Sequence, residues 1–555
     1  MNKKVCSFPI LFALLALLIG TCAVVFPASA QAAPTSTGSI TVSGTVASSY
    51  DAYQIFSANV VDGDSDAKIA TDLAWASDAA RDAVLPVLHS AGMPNSQTTA
   101  QEAAEWLNTD SHLTSALSAQ LARSLQSSGA VSVALNAGTA AELPCGYWLI
   151  VADDDAIAQG EAGTAPIMVL VGGSAVTVKP KAATPKVSKH VLEDSTAAWQ
   201  KAADATVADD LYWRLSATVP AGLTAYDAYA VQFVDTMSAG LDPSRVAASM
   251  RVYVAAGTDG GFDAVSTGKD GRAGTEPAKG WTDITAQCAT KVAADGTFTV
   301  RTGDLIAALG GADAFTAGAR VVAVYNAPLN SACNHGIAKG NPNEVYLRYP
   351  RSPFADQSGD AGFTRTPSDD ATAYTWDLAL TKRGSDGDKP LAGAVLSIAD
   401  DRGRTLVADG TWDAEGKATV TTGEDGRVTV SGVDSGKLEV RELKAPKGYT
   451  AFEGARSVTV KAEGLDVDQV AAAKPKLTVT AESPLRADSA DGSTGSLEAS
   501  LINTPTGTPP SITTGGFMPS TGDMAMYAAA AAAVAGAALI VVALLVKRGG
   551  GSHKE

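Results

Sequence analysis

The sequence is poor in cysteine, in histidine and in positive charge. It contains five cysteines and five histidines in 555 residues, and its formal net charge is −17. A chain of this length with so few thiols cannot rely on a framework of disulfides, so its domains need another form of stabilisation. The acidic balance disfavours binding to nucleic acid, because phosphates repel such a surface.

Patterns typical of catalytic and metal sites are also absent. The sequence contains no HExxH, GxSxG or P-loop pattern. The stretch DGDSDA at Asp62 begins like a calcium-binding loop, but it lacks the glycine at position six and the acid at position twelve. We therefore expect no metal and no cofactor, and we expect a structural protein rather than an enzyme with turnover.

The start of the chain has the layout of a targeting segment. Residues 1–30 contain Lys3 and Lys4, then an apolar run, then small residues up to Ala30. This order predicts a secretory signal peptide. A lipoprotein signal that uses Cys22 is the less favoured alternative, because a threonine precedes that cysteine.

The end of the chain predicts a membrane-spanning helix. The apolar stretch from Met524 to Val546 is long enough to cross a bilayer. Lys547 and Arg548 follow it, so the positive-inside rule leaves the tail in the cytoplasm. The residues between the two terminal segments are therefore expected outside the cytoplasm.

Between the two ends, the pattern predicts an all-β protein of three domains. Segments 34–181, 186–360 and 372–505 contain short alternating strands separated by Gly, Asp and Pro turns, as in immunoglobulin-like β-sandwiches. The stretch TAQEAAEWLNTDSHLTSALSAQLARSLQ has Leu and Ala at helical spacing, so some helix is expected in the first domain. Residues 506–517 are rich in Pro, Gly and Thr and predict a flexible stalk.

The residues before the apolar span carry the first specific signal. They read MPSTG, which is Met518, Pro519, Ser520, Thr521 and Gly522. Together with the apolar helix and the basic tail, they resemble the cell-wall sorting signal of Gram-positive surface proteins, usually written LPxTG, over residues 518–555. The resemblance implies that a sortase cleaves after Thr521, holds it as a thioester and joins it to an amine.

The end of the first domain resembles a second element of the same system. The stretch VTVKPK is similar to the pilin motif VxVYPK of sortase-built pili, with Lys179 in place of the tyrosine. The resemblance implies that the ε-amine of Lys181 is joined to Thr521 of the next subunit. Lys179 and Lys186 remain alternative nucleophiles.

The third domain resembles a Cna-type B domain. The stretch LEVRELKAPKGY is similar to the pilin E-box YxLxETxAPxGY. The resemblance implies an amide cross-link between Lys382 and Asn503, with Glu442 as the proton shuttle. Burial favours a neutral amine and a protonated carboxyl, so the amine can attack the carboxamide and release ammonia. The alternative is a buried ion pair with a hydrogen-bonded asparagine.

The middle domain resembles the other sandwich type found in pilins. By that resemblance, Lys189 would be joined to Asn343, with Asp235 as the proton shuttle, and Asn341 is the alternative acceptor. Two of the few cysteines fall in this domain and can pair as a disulfide, namely Cys288 and Cys333.

Taken together, these resemblances imply a sortase-assembled pilin, most simply the backbone subunit of a covalent pilus on a Gram-positive cell wall. The implied partners are a pilin-class sortase, a housekeeping sortase, further copies of the chain, accessory pilins, peptidoglycan and a host surface ligand. The alternatives are an accessory or basal pilin, which would not need Lys181, and a monomeric wall-anchored adhesin. A secreted hydrolase is least favoured, because only the cross-link triads suggest chemistry.

Overall fold

Three β-sandwich units account for most of the chain. The computed structural model describes residues 36–64, 67–109, 111–180, 184–221, 223–257, 261–268 and 270–507. The predicted signal peptide, Lys181 and the predicted sorting signal lie outside these ranges. Among the described residues, no helix combines the length and the apolar character needed to cross a bilayer. The strands form six sheets in these residues, and the prediction of tandem β-sandwiches with some helix in the first domain is confirmed.

The first unit packs two sheets and three helices around three clusters of buried apolar residues. Its elements are β1 Thr37–Val42, β2 Ser49–Asp62, β3 Lys68–Trp75, α1 Asp78–Ser90, α2 Ala100–Asn108, α3 Ser115–Ser127, β4 Ser132–Asn136, β5 Ala140–Pro144, β6 Gly146–Ala152, β7 Ile167–Val171 and β8 Val176–Val178. The small sheet has the order β5-β1-β8, and the larger sheet has the order β3-β2-β6-β7 with β4 beside β2. One cluster lies between the two sheets, one lies beneath the helices, and a small third cluster includes Ala58, Ala70 and Leu170. Helices α2 and α3 cover the predicted helical stretch, whereas α1 is an element that the sequence interpretation did not include.

The second unit is a larger sandwich. Its elements are β9 Val187–Glu193, β10 Ala198–Gln200, β11 Ala202–Asp204, β12 Tyr212–Thr218, β13 Gln232–Met237, α4 Val246–Ser249, β14 Arg251–Ala255, β15 Thr282–Asp283, β16 Ala289–Val292, β17 Thr297–Arg301, α5 Leu305–Ala308, β18 Arg320–Asn326, β19 Asn341–Pro350, β20 Phe363–Arg365 and β21 Asp369–Tyr374. One sheet has the order β10-β9-β12-β18-β14-β15, and the other has the order β11-β21-β19-β13-β17-β16 with β20 beside β19. Strand β21 therefore pairs within this unit, beyond the predicted end at residue 360.

The cysteines of the second unit do not form the predicted disulfide. Cys288 and Cys333 are both free thiols, as is Cys145 in the first unit. The Cys288 thiol donates to the carbonyl of Ile284 at 3.3 Å, within its own turn. Sequence proximity within one domain was the only basis for the pairing, and it does not bring the two sulfurs together.

The third unit begins two residues after β21. Its elements are β22 Trp376–Gly384, β23 Val395–Ala399, β24 Thr405–Leu406, β25 Trp412–Asp413, β26 Val420–Thr421, β27 Arg427–Val433, β28 Gly436–Lys444, β29 Tyr449–Thr450, β30 Ala455–Glu463, β31 Lys476–Ala481, β32 Leu485–Asp491 and β33 Ser496–Pro505. One sheet has the order β27-β22-β33-β29 with β32 beside β33, and the other has the order β25-β24-β23-β28-β30-β31 with β26 beside β23. Its first and last strands, β22 and β33, are parallel neighbours.

Polar contacts join the second unit to the third. The indole of Trp376 donates to the Asp204 carboxylate at 2.6 Å. The imidazole of His335 lies 2.8 Å from the Asp377 carboxylate. Asp209 accepts from Arg404 at 2.7 Å between Nη2 and Oδ2. These contacts place charged and aromatic groups of one unit directly against the other.

Candidate cross-link sites

Three strands of the third unit each carry one polar residue on an otherwise apolar buried face. In β22, Trp376, Leu378 and Leu380 alternate inward, and Lys382 takes the next inward position. The same replacement occurs at Asn503, after Leu497, Ala499 and Leu501 of β33, and at Glu442, after Leu438 and Val440 of β28. Period-two geometry therefore forces three polar side chains into the core.

The three side chains meet at one end of this sandwich. The Lys382 amine donates to Oδ1 of Asn503 and lies 3.1 Å from Oε1 of Glu442. The same Oε1 accepts from Nδ2 of Asn503 at 2.8 Å. One carboxylate oxygen thus touches both the attacking nitrogen and the nitrogen that would leave, which is the arrangement a proton shuttle requires.

Burial changes the chemistry of this lysine. The side chains of Lys382 and Glu442 have no exposed surface. Desolvation lowers the pKa of Lys382 to about 8, although the neighbouring Glu442 opposes the shift. The neutral, nucleophilic form of the amine is therefore far more accessible near neutral pH than in an exposed lysine.

The predicted E-box forms a turn over the same end of the sandwich. It runs from β28 into β29, where Tyr449 pairs with Pro505 of the last strand. The backbone N–H of Phe452 donates to the second oxygen of Glu442 at 3.1 Å, and the Phe452 ring lies 5.7 Å from the Lys382 amine. Phe452, three residues after this turn, therefore orients the carboxylate and packs near the lysine.

The second unit contains a similar set of polar residues on buried strand positions. Lys189 on β9 belongs to one sheet, whereas Asp235 on β13 and Asn343 on β19 belong to the other. All three are fully buried. Strands β13 and β19 are antiparallel neighbours, with Met237 opposite Asn343.

The contacts in the second unit differ from those in the third. The Lys189 amine contacts the Asp235 carboxylate directly. Asn343 does not bond to Asp235; its Nδ2 donates to the hydroxyl of Tyr325 at 2.8 Å. The alternative acceptor Asn341 is occupied elsewhere, because its side-chain amide bonds to both backbone groups of Asn334. Of the two asparagines, the structure brings Asn343 to the lysine cluster.

Burial shifts both charged groups of this cluster towards neutrality. Desolvation lowers the pKa of Lys189 to about 8, against the opposing effect of Asp235. Desolvation also raises the pKa of Asp235 above its usual range. Proton transfer from the amine to the carboxyl is favoured by both shifts, and it leaves a neutral nucleophile.

The candidate acceptors of a sortase-catalysed bond lie at the end of the first unit. Lys179 follows β8 and is exposed, and Lys186 precedes β9 and is exposed. Lys181 and the MPSTG residues Met518 to Gly522 lie outside the described residues, so their roles stay predictions.

Comparison with known proteins identifies the third unit. Residues 377–474 match the family described as "SpaA: Prealbumin-like fold domain", and this segment includes Lys382 and Glu442. The chain is 31% identical over 134 residues to the trypsin-resistant surface T6 protein of Streptococcus pyogenes serotype M6. That match covers 23% of this chain and 23% of the T6 protein. The predicted resemblance to Gram-positive pilins is confirmed by these two findings.

Solved structures of pilins are similar to longer parts of the chain at low sequence identity. The T6 backbone pilin of Streptococcus pyogenes matches with a TM-score of 0.46 and 16% identity, covering 85% of this chain and 98% of that one. The full-length major pilin SpaD from Corynebacterium diphtheriae matches with a TM-score of 0.41 and 15% identity, covering 85% and 98%.

Proposed function

We propose that this chain, which carries a SpaA-type prealbumin-like domain at residues 377–474, is the backbone subunit of a covalent pilus. A pilin-class sortase joins Thr521 of one subunit to Lys181 of the next, and a housekeeping sortase attaches the finished polymer to peptidoglycan. The subunit is not an enzyme with turnover; it performs one self-processing reaction in each of two units. Accessory pilins and a host surface ligand are its further partners.

The buried triad of Lys382, Glu442 and Asn503 is the observation that carries the proposal. An ion pair in an apolar core is costly, and replacing it with apolar residues is often neutral or stabilising. A covalent amide removes the lysine charge from the core and leaves a neutral link in its place. A bond between the first and last strands gives a subunit that resists extension, which is a requirement of a fibre rather than of a binding domain.

The reaction in the third unit needs no group beyond the triad. The neutral amine of Lys382 attacks the side-chain carbonyl carbon of Asn503, and a new C–N bond forms. Glu442 takes a proton from the attacking nitrogen and delivers one to the former amide nitrogen through the same oxygen. The old C–N bond breaks, ammonia leaves, and the carboxyl ends in its starting state.

Polymerisation is tested by an immunoblot of boiled wall extracts from Gram-positive cells. Cells that make the wild-type chain are compared with cells that make Lys181→Ala, Lys179→Ala or Lys186→Ala. We expect a high-mass ladder in the wild type that collapses only in Lys181→Ala. Because Lys179 and Lys186 are exposed lysines on either side, their variants are matched controls for loss of positive charge.

The other outcomes separate the alternatives. A ladder that collapses in Lys179→Ala or Lys186→Ala instead keeps polymerisation and reassigns the acceptor. A single wall-linked species in every strain contradicts the pilus and favours a monomeric adhesin. A ladder that forms only with a second pilin, and then contains one copy of this chain, indicates an accessory or basal subunit.

A further inference from the structure

One buried hydroxyl occupies the centre of the cross-link site in the second unit. The phenol oxygen of Tyr325 lies 2.9 Å from Nζ of Lys189, 3.1 Å from Oδ2 of Asp235 and 2.8 Å from Nδ2 of Asn343. It is the group that connects the carboxylate to the asparagine, because Asp235 and Asn343 share no hydrogen bond with each other in the described residues. The third unit has no such intermediary, since Glu442 contacts both nitrogens itself.

The ring of Tyr325 is held in a fixed orientation. The residue belongs to β18, whose seven residues are all buried. The ring of Phe298 packs against it edge to face, with ring centroids 4.8 Å apart. The hydroxyl therefore points into the site from the opposite sheet to Asp235 and Asn343, and a rigid aromatic side chain holds it there.

Proton transfer between Asp235 and Asn343 needs an intermediate group. Oδ1 of Asp235 and Oδ1 of Asn343 have no hydrogen-bond partner among the described residues, so no second contact links the two side chains. If Asp235 is to protonate the leaving nitrogen of Asn343, the proton must pass through the phenol. A hydroxyl can donate one proton while accepting another, which suits it to this role.

We propose that Tyr325 is a catalytic proton relay for the Lys189–Asn343 cross-link, a step that rests on the proposed function of that unit. The neutral Lys189 amine attacks the side-chain carbonyl carbon of Asn343 and forms the new C–N bond. Tyr325 gives its proton to Nδ2 of Asn343 and takes one from Oδ2 of Asp235. Asp235 then takes a proton from the attached lysine nitrogen, the old C–N bond breaks, and ammonia leaves.

The experiment follows cross-linking in the full chain made by cell-free synthesis. After translation is stopped, samples are digested, and mass spectrometry quantifies the linked Lys189–Asn343 peptide over time. We expect Tyr325→Phe to form this link about a hundredfold more slowly than the wild type, the usual order for loss of one acid–base group. The Lys382–Asn503 link should form at an unchanged rate, and it reports folding and chemistry within the same molecule.

Two controls separate the relay from a structural effect. Tyr349→Phe also removes a buried hydroxyl from the same core, one that donates to Gly160 at 2.7 Å, and it should link the second unit at the wild-type rate. Replacing Tyr325 by 3-fluorotyrosine keeps the hydroxyl, makes it more acidic and adds only one small atom to the ring, so it tests the relay even where Tyr325→Phe fails to fold. A relay requires the linking rate to change, and an unchanged rate with 3-fluorotyrosine overturns it.

The outcomes also separate the relay from the cross-link itself. If the wild-type chain never forms the Lys189–Asn343 link, the proposed cross-link of the second unit fails. If the wild type and Tyr325→Phe link at the same rate while Asp235→Ala does not link, the cross-link stands and the relay is overturned.

Discussion

At the scale of single residues, the two candidate sites place a lysine where the strand pattern requires an apolar side chain. Lys382 and Lys189 are both buried and both have their pKa lowered to about 8 by desolvation. A lysine in this state destabilises the fold until it is either deprotonated or converted to an amide. The proposed cross-links would therefore remove a cost in folding free energy that these buried lysines introduce.

The cost of burying Lys382 predicts how stability depends on pH in a chain that cannot form the link in the third unit. In Asn503→Ala, Lys382 stays an amine with a folded pKa of about 8, below the unfolded value of about 10.4. The unfolded state then binds more protons between these two values, so the free energy of unfolding rises with pH across the window. Across the whole window, the free energy of unfolding should rise by roughly 3 kcal/mol. Urea unfolding of the full chain at pH 7 to 10.5 measures the change.

The double variant Lys382→Met, Asn503→Ala is the control for this prediction. It lacks the titrating amine but keeps every other buried group, so subtracting its profile isolates Lys382. A pH-independent difference between the two variants would show that the lysine keeps its ordinary pKa in the folded chain.

At the scale of elements, the arrangement of strands determines what each cross-link can resist. Lys382 and Asn503 lie on parallel neighbouring strands of one sheet, whereas Lys189 and Asn343 lie on facing sheets. Tension applied through the chain ends reaches β22 and β33 first in the third unit. The proposed bond between them would therefore divert force away from the strands in between.

We expect the effect of the Lys382–Asn503 bond on force transmission to be measurable by single-molecule force extension. Lys382 and Asn503 are 121 residues apart in sequence, and a fully extended chain gains about 3.4 Å per residue. Glu442→Ala, which lacks the shuttle, should release roughly 400 Å of hidden length when the third unit unfolds. The wild type should show no such step at the same force.

The matched control for this measurement is Glu439→Ala, which removes a partly exposed carboxylate from the same strand. It should behave like the wild type and should show the loss of one ammonia in the third unit by intact mass. A Glu442→Ala chain that has still lost this ammonia would mean that the carboxylate is not the shuttle.

The elements also show which features the sequence could predict. Alternating apolar residues and turn residues were enough to predict the three sandwiches. The resemblance to the E-box pointed to Glu442, and through it to Lys382 and Asn503. The sequence pattern did not point to Tyr325, because β18 is buried along its whole length and no alternation distinguishes the proposed relay from a core side chain. Helix α1 was missed as well, although Ser77 caps its first turn. Strand β21 shows that domain limits follow pairing partners, which one sequence does not reveal.

At the scale of the whole molecule, stiffness depends on the joints between units as well as on the proposed cross-links. At the joint between the second and third units, the Asp377 carboxylate raises the pKa of His335 to about 10 through their hydrogen bond. His335 is therefore charged at neutral pH, and its attraction to Asp377 is one of the contacts that hold the two units together. The bridge is partly exposed, so its contribution is modest.

This joint should weaken at alkaline pH. A raised histidine pKa gives stability that is complete below the unfolded value of about 6.5 and is lost as pH rises through about 10. We expect His335→Gln to lower the thermal midpoint of the full chain by a few degrees at pH 6, and by much less at pH 10.5. Differential scanning calorimetry of both chains at both pH values measures this.

The control for the joint is His190→Gln in the second unit. Burial lowers the pKa of His190 to about 4, so this residue stays neutral from pH 6 to 10.5, and its variant should show the same shift at both pH values. An equal shift for His335→Gln at both pH values would mean that its charge does not hold the joint.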